Sequence, residues 1–196
     1  MTHKLLFGAA LSVLLSVGAP GAQAGFLGAE FSAFYRFPDL GTVYPFATWA
    51  PPSFTVGAGA ETVGDVESVT FITADFTDTR LTLVFDTVLT SPTWNAVAFN
   101  GPVFTAVAPL GITGVSLNGA TTMPGFTAGR VTFTDTEIRV DWNGLSYVDG
   151  EVVAIDFAFV PDPVEVPEPA SLALLGLALS GLGVVAMRRR RSHAAT

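Results

Sequence analysis

Cysteine is absent from all 196 residues, so neither a disulfide nor thiolate chemistry is available. Histidine occurs only as His3 and His193, and lysine only as Lys4. The long middle of the chain therefore lacks imidazole, thiol and primary amine together. This excludes a Ser-His-Asp triad, a His/Cys zinc site, a Ser-Lys pair and a Schiff base there. Basic charge is equally scarce. Between residues 25 and 165 only Arg36, Arg80, Arg130 and Arg139 stand against 16 carboxylates, a net charge of −12. Such a surface repels phosphate backbones and argues against nucleic acid as a partner. Charged residues make up 13% of the chain and hydrophobic residues 49%, a balance that excludes disorder as the state of the whole.

What is present divides the chain into segments. Residues 1–24 read as a secretory signal peptide and a short helix. His3 and Lys4 supply the charged start, residues 5–17 the apolar run, and Ala22 and Ala24 the small-residue cleavage site, leaving Gly25 as the new N-terminus. The 13-residue apolar run is too short to span hydrocarbon, which needs about 20 residues. Residues 161–169 form a Pro-rich linker containing Pro167-Glu168-Pro169, extended because each proline fixes φ and turns its predecessor away from helix. Residues 170–187 carry no charge, and as a helix reach about 27 Å, enough to cross a membrane. Arg188, Arg189, Arg190 and Arg191 follow as a membrane stop. By the positive-inside rule residues 188–196 are a basic cytoplasmic tail, with the preceding domain on the far side.

The succession of Val-Pro-Glu-Pro, short Leu/Gly-rich span and terminal arginines over residues 166–191 resembles the PEP-CTERM sorting signal of Gram-negative bacteria. The resemblance implies Sec-type export and recognition of Pro167, Glu168 and Pro169 by an exosortase, a membrane transpeptidase that cuts at or near the motif. It implies inner-membrane anchorage facing the periplasm before processing, then a cell-surface or extracellular destination. It also carries an association with exopolysaccharide and biofilm. Two prolines suit this role, since they hold the backbone extended and free for a cleft to bind.

Residues 25–160 show period-2 patterning. Leu81, Leu83 and Phe85 share one face of a strand; Ile138, Val140 and Trp142 share another, opposite Glu137, Arg139 and Asp141; Val153, Ile155, Phe157 and Phe159 share a third. Val131 and Phe133 precede the second across a turn at Asp135-Thr136, predicting a hairpin. Asn100-Gly101, Asn118-Gly119, Asn143-Gly144 and Asp149-Gly150 are expected to accept positive φ where strands reverse. The expectation is all-β: an antiparallel, jelly-roll-like β-sandwich.

No residue is expected to be catalytic. The carboxylates Asp75, Asp78, Asp135, Glu137 and Asp141 leave a glycoside hydrolase as the third reading, but their spacing selects no pair. No metal or other cofactor is expected. Calcium is the exception to weigh, with Asp141, Asn143 and Asp149 as candidate loop ligands outside any EF-hand pattern. The leading expectation is a non-enzymatic envelope or extracellular-matrix component, with a carbohydrate-binding module as the alternative. Among Trp49, Trp94, Trp142, Tyr35, Tyr44 and Tyr147, the expected exposed sugar platforms are Trp49, in a Pro-flanked stretch, and Tyr147, between two Gly turns.

Overall fold

A computed structural model describes residues 25–161. The signal peptide, the residues from 162 through the sorting motif, the 170–187 span and the arginine tail lie outside the described residues. Eleven strands follow one another: β1 (Glu30–Arg36), β2 (Ala47–Ala50), β3 (Ser53–Thr55), β4 (Thr62–Val66), β5 (Thr70–Phe76), β6 (Arg80–Thr87), β7 (Gly101–Ala106), β8 (Ile112–Leu117), β9 (Val131–Phe133), β10 (Glu137–Val140) and β11 (Val152–Phe159). One turn of 3-10 helix, Ala128–Arg130, precedes β9. Among the described residues no helix is long and apolar enough to cross a membrane.

The strands form two antiparallel sheets, ordered β3-β1-β7-β10-β9 and β2-β4-β5-β6-β11-β8. Alternation decides which side chains go inward. Leu81, Leu83 and Phe85 of β6 are buried, as are Ile138 and Val140 of β10 and Val153, Ile155 and Phe157 of β11. The two sheets share one core, and rings make the junction. Phe31 of β1 stacks on Phe76 of β5 at 5.0 Å, Phe76 meets Phe104 of β7 edge-on at 5.2 Å, and Phe85 of β6 meets Trp142 just past β10 at 5.1 Å. Each such ring contributes roughly 1.5–3 kcal/mol by leaving water. This aromatic seam is what holds a cysteine-free domain together. It begins at once: Phe26 is fully buried against Phe31, Phe76, Phe157 and Phe159.

A buried polar chain crosses the core. Trp142 Nε1 donates to the Tyr35 hydroxyl at 2.8 Å, and that hydroxyl donates to Asn100 Oδ1 at 2.8 Å. Burial pushes the Tyr35 phenol well above its ordinary pKa.

Two expectations need correction. The jelly-roll comparison fails, because sheets of five and six strands with β4-β5-β6 as a plain meander are not the eight-stranded double Greek key of that fold. The four expected turns also divide. Gly144 (φ 71°) and Gly150 (φ 76°) have positive φ, whereas Gly101 opens β7 in register with Arg36 and Gly119 sits in a turn without positive φ. Gly101 answers a different demand: a Cβ there would lie 1.9 Å from the carbonyl oxygen of Val140. The hairpin of β9 and β10 forms as expected, with Phe133 opposite Ile138.

Candidate functional site

Five of the six Trp and Tyr residues singled out in the sequence, all but Tyr44, are spent on the core. Trp49 is 6% exposed. The prolines after it suggest a loop, but Ala47–Ala50 pairs with β4, and Gly64 directly opposite Trp49 leaves the space into which the indole folds. A Cβ on Gly64 would lie 2.9 Å from that indole. Tyr147 is 4% exposed, stacked on Trp94 at 4.6 Å, with its hydroxyl 2.8 Å from Thr70 Oγ1. Neither is the exposed platform expected, since a sheet face and a Trp-lined interior each offer an aromatic ring more contact than water does.

The calcium candidates are likewise committed to the fold. Asp141 Oδ1 accepts the Asn100 and Asn143 backbone N–H groups, each at 3.0 Å, and Asn143 Nδ2 donates to Asp141 Oδ2 at 2.5 Å. The carbonyl oxygens of Asp141 and Asn143, which could have faced a cation, accept from the Arg130 guanidinium at 3.2 and 3.0 Å. Asp149 caps the Thr87 N–H. Among the described residues no three His, Cys, Asp or Glu groups converge as a metal site. Of the carboxylates weighed for glycoside chemistry, Glu137 pairs with Arg139 and Asp141 is the loop clasp just described. Asp78 stands at the β5–β6 turn, where its backbone carbonyl accepts the Phe26 N–H at 2.7 Å.

The feature with an unassigned chemical surface lies where the connections after β1, β4, β6 and β10 meet. A cavity of about 190 Å³ is lined there by Tyr35, Tyr44, Glu67, Trp94, Asn100 and Tyr147 among others. Tyr44 and Glu67 also line a wider, open hollow of about 540 Å³, with Phe46, Thr48, Asp65 and Ser68.

Local backbone chemistry builds this wall. The Tyr44 N–H donates to the Tyr35 carbonyl at 2.9 Å and Arg36 bridges to Val43, so the chain doubles back after β1. Pro45 then carries Phe46 outward, leaving it 68% exposed and edge-on to Tyr44 at 5.7 Å. The Glu67 N–H donates to the Phe46 carbonyl at 2.8 Å. Glu67 and Ser68 turn from β4 into β5 with φ of 57° and 56°, a left-handed conformation that costs non-glycine residues roughly 1–2 kcal/mol each. Asp65 Oδ1 holds the turn by accepting the Ser68 N–H at 2.8 Å. The Tyr44 hydroxyl donates to Glu67 Oε1. Burial, then the bond to Glu67 and its charge, push that phenol up to about 12, so it remains a donor across the physiological range.

Chemically the site can bind. It offers two ring surfaces, two carboxylates and the hydroxyls of Thr48 and Ser68, and among the described residues no Lys, Arg or His lines either hollow. Sequence reading considered Tyr44 but missed Phe46, Asp65 and Glu67. The available signals were aromatic residues on both sides of Pro45, which cannot continue a ladder, and a Val-Glu-Ser-Val turn lacking Gly, Pro and Asn.

Gly25, the expected first residue after signal cleavage, is packed where a Cβ would fall 2.0 Å from Asp78 Oδ1. Ala22, Ala24 and the sorting residues Pro167, Glu168, Pro169 and Arg188 to Arg191 lie outside the described residues.

No curated protein and no solved structure matches the chain. One family model does: residues 165–191 match the PEP-CTERM protein-sorting motif, one residue longer than the segment read from the sequence. The chain thus carries the PEP-CTERM sorting signal of an exosortase substrate, and is an exported protein with a C-terminal membrane anchor before processing.

Proposed function

We propose that the two-sheet domain is a non-enzymatic component of the cell envelope or extracellular matrix, associated with exopolysaccharide and delivered by its sorting signal. The observation that carries this reading is the match over residues 165–191, which makes the C-terminus an address for processing. In this reading residues 1–24 direct Sec-type export, and the arginine tail stays cytoplasmic while the domain waits on the periplasmic side. Exosortase then cuts near Pro167-Glu168-Pro169 and frees the domain for the surface or medium. The domain's chemistry supports a passive role, because residues 25–165 have no imidazole, thiol or lysine amine.

The intact mass of the protein recovered from envelope and medium fractions tests the reading. The expected chain starts at Gly25 and ends between Val166 and Pro169. A chain still ending at Thr196 in both fractions overturns it.

A carbohydrate-binding module is the second reading. The observation that favours it is the open hollow with Phe46 at its rim.

A further inference from the structure

We propose that the hollow formed by Tyr44, Phe46, Asp65 and Glu67 binds an amino-sugar residue of a polysaccharide, its ring face against the aromatics and its ammonium group toward the carboxylates. The proposal rests on the reading of the domain as an exported component that meets polysaccharide, and adds to it a site and a ligand class.

Shape comes first. Phe46 leaves 68% of its surface in water at the rim of a hollow of about 540 Å³, with Tyr44 edge-on beside it. Phe34 is another phenylalanine with a partly exposed ring, but the Arg36 guanidinium already sits 5.3 Å above its centre. Phe46 has no such cover. Rigid aromatic surface held beside hydroxyls matches the C–H face of a sugar ring flanked by its own hydroxyls.

Charge selects among sugars. Asp65 and Glu67 line the hollow with no Lys, Arg or His among the described residues around it, in a stretch, residues 25–165, of net charge −12. A uronic acid or a phosphorylated sugar is repelled. A protonated amine is drawn to both the carboxylates and the ring faces. Glu67 commits Oε1 to Tyr44, while its Oε2 makes no hydrogen bond to any of the described residues. Thr48 supplies a hydroxyl for the rest of the ring, and so does Ser68, whose Oγ also lies 3.5 Å from Asp65 Oδ2.

The backbone is arranged beforehand. Glu67 and Phe46 are tied by the main-chain bond at 2.8 Å, and Asp65 pins the turn that carries Glu67. Little ordering is therefore left to be done on binding.

Calorimetry on the processed protein recovered from cells tests the site with four probes: a glucosamine tetramer, its N-acetylated counterpart, a galacturonate tetramer and tetralysine. The glucosamine tetramer is expected to bind at least about tenfold tighter than each of the others. Phe46→Ala and Glu67→Gln are each expected to weaken it by about fivefold or more, with the melting temperature held. Tetralysine binding as well as the amino sugar, a preference for the acetylated or acidic tetramer, or indifference to Phe46→Ala overturns the proposal. If Phe46→Ala lowers the melting temperature, the order of the four probes on the unaltered protein decides alone. A correctly trimmed protein that binds none of the probes overturns the site and leaves the sorted-component reading standing. An untrimmed protein that binds the amino sugar does the reverse.

Discussion

Tyr35 stands between two buried partners, receiving from Trp142 Nε1 and giving to Asn100 Oδ1. Tyr35→Phe keeps the ring and removes both bonds. The indole N–H and the amide oxygen then stay desolvated without compensation, at a cost of about 2–4 kcal/mol. Denaturant unfolding should show that loss with an unchanged slope. In a Trp142→Phe background the same substitution should cost measurably less, since one stranded partner is already gone. A cost that is equal in both backgrounds would mean the chain does not act as a unit. Gly101 is constrained from outside its own side chain. The Val140 carbonyl oxygen occupies the space of its missing Cβ, and that oxygen belongs to the backbone of the neighbouring strand, which cannot rotate away. Gly101→Ala therefore has to part β7 from β10, and thermal unfolding should report a loss of about 3 kcal/mol or more. Gly119, with nothing within 4 Å of its Cβ position and no positive φ, should accept alanine with little change.

At the scale of elements, legibility in the sequence followed how many faces of a strand are buried. β6, β10 and β11 each hide one face and wet the other for most of their length, so Leu81-Leu83-Phe85, Ile138-Val140 and Val153-Ile155-Phe157 could be assigned from alternation alone. β2 could not. It is four residues long, runs into Pro51-Pro52, and owes its buried Trp49 to the glycine across from it on β4, a relation between residues 15 positions apart. Asn100-Gly101 misled for a similar reason: the glycine serves a close approach by another strand, and local turn chemistry carries no trace of that. The candidate site was only half legible. An aromatic side chain is conspicuous in a sequence, but its exposure depends on whether a neighbouring strand leaves room for it. Trp49 and Tyr147 found such room, while Phe46, set beside a proline off the end of a ladder, did not.

The sorting signal operates on the molecule as a whole and gave the opposite result, because it is read as a linear string and needs no tertiary context. Its arginines offer a direct test. In the proposed reading Arg188, Arg189, Arg190 and Arg191 are the cationic stop against anionic headgroups, and replacing all four by glutamine removes it. Processing should fail, and intact mass should find the chain ending at Thr196 instead of near Pro169. Unchanged trimming would separate the arginine cluster from the signal.

The folded domain also has a global reporter in its only three tyrosines, Tyr35, Tyr44 and Tyr147. All three phenols are held above their ordinary value of 10.0: Tyr35 and Tyr147 chiefly by burial, Tyr44 by burial and the neighbouring Glu67 carboxylate. In the unfolded chain each titrates near 10. Below that pH both states keep their phenolic protons and the contribution of these groups to stability is complete. Above it the unfolded state releases protons that the folded state retains. Stability then falls with pH, by about 1.4 kcal/mol per pH unit for each tyrosine whose two states differ by a full proton, until the folded phenols titrate in turn. Absorbance at 295 nm, followed upward from pH 8, should therefore show no phenolate step near pH 10. Tyr44 should ionise at about 12, and Tyr35, the most deeply buried and raised well above its ordinary value, should ionise only with the loss of the near-UV circular dichroism of Trp94 and Trp142. A full three-tyrosine step near pH 10 with that dichroism intact would show that the rings do not sit in the aromatic seam.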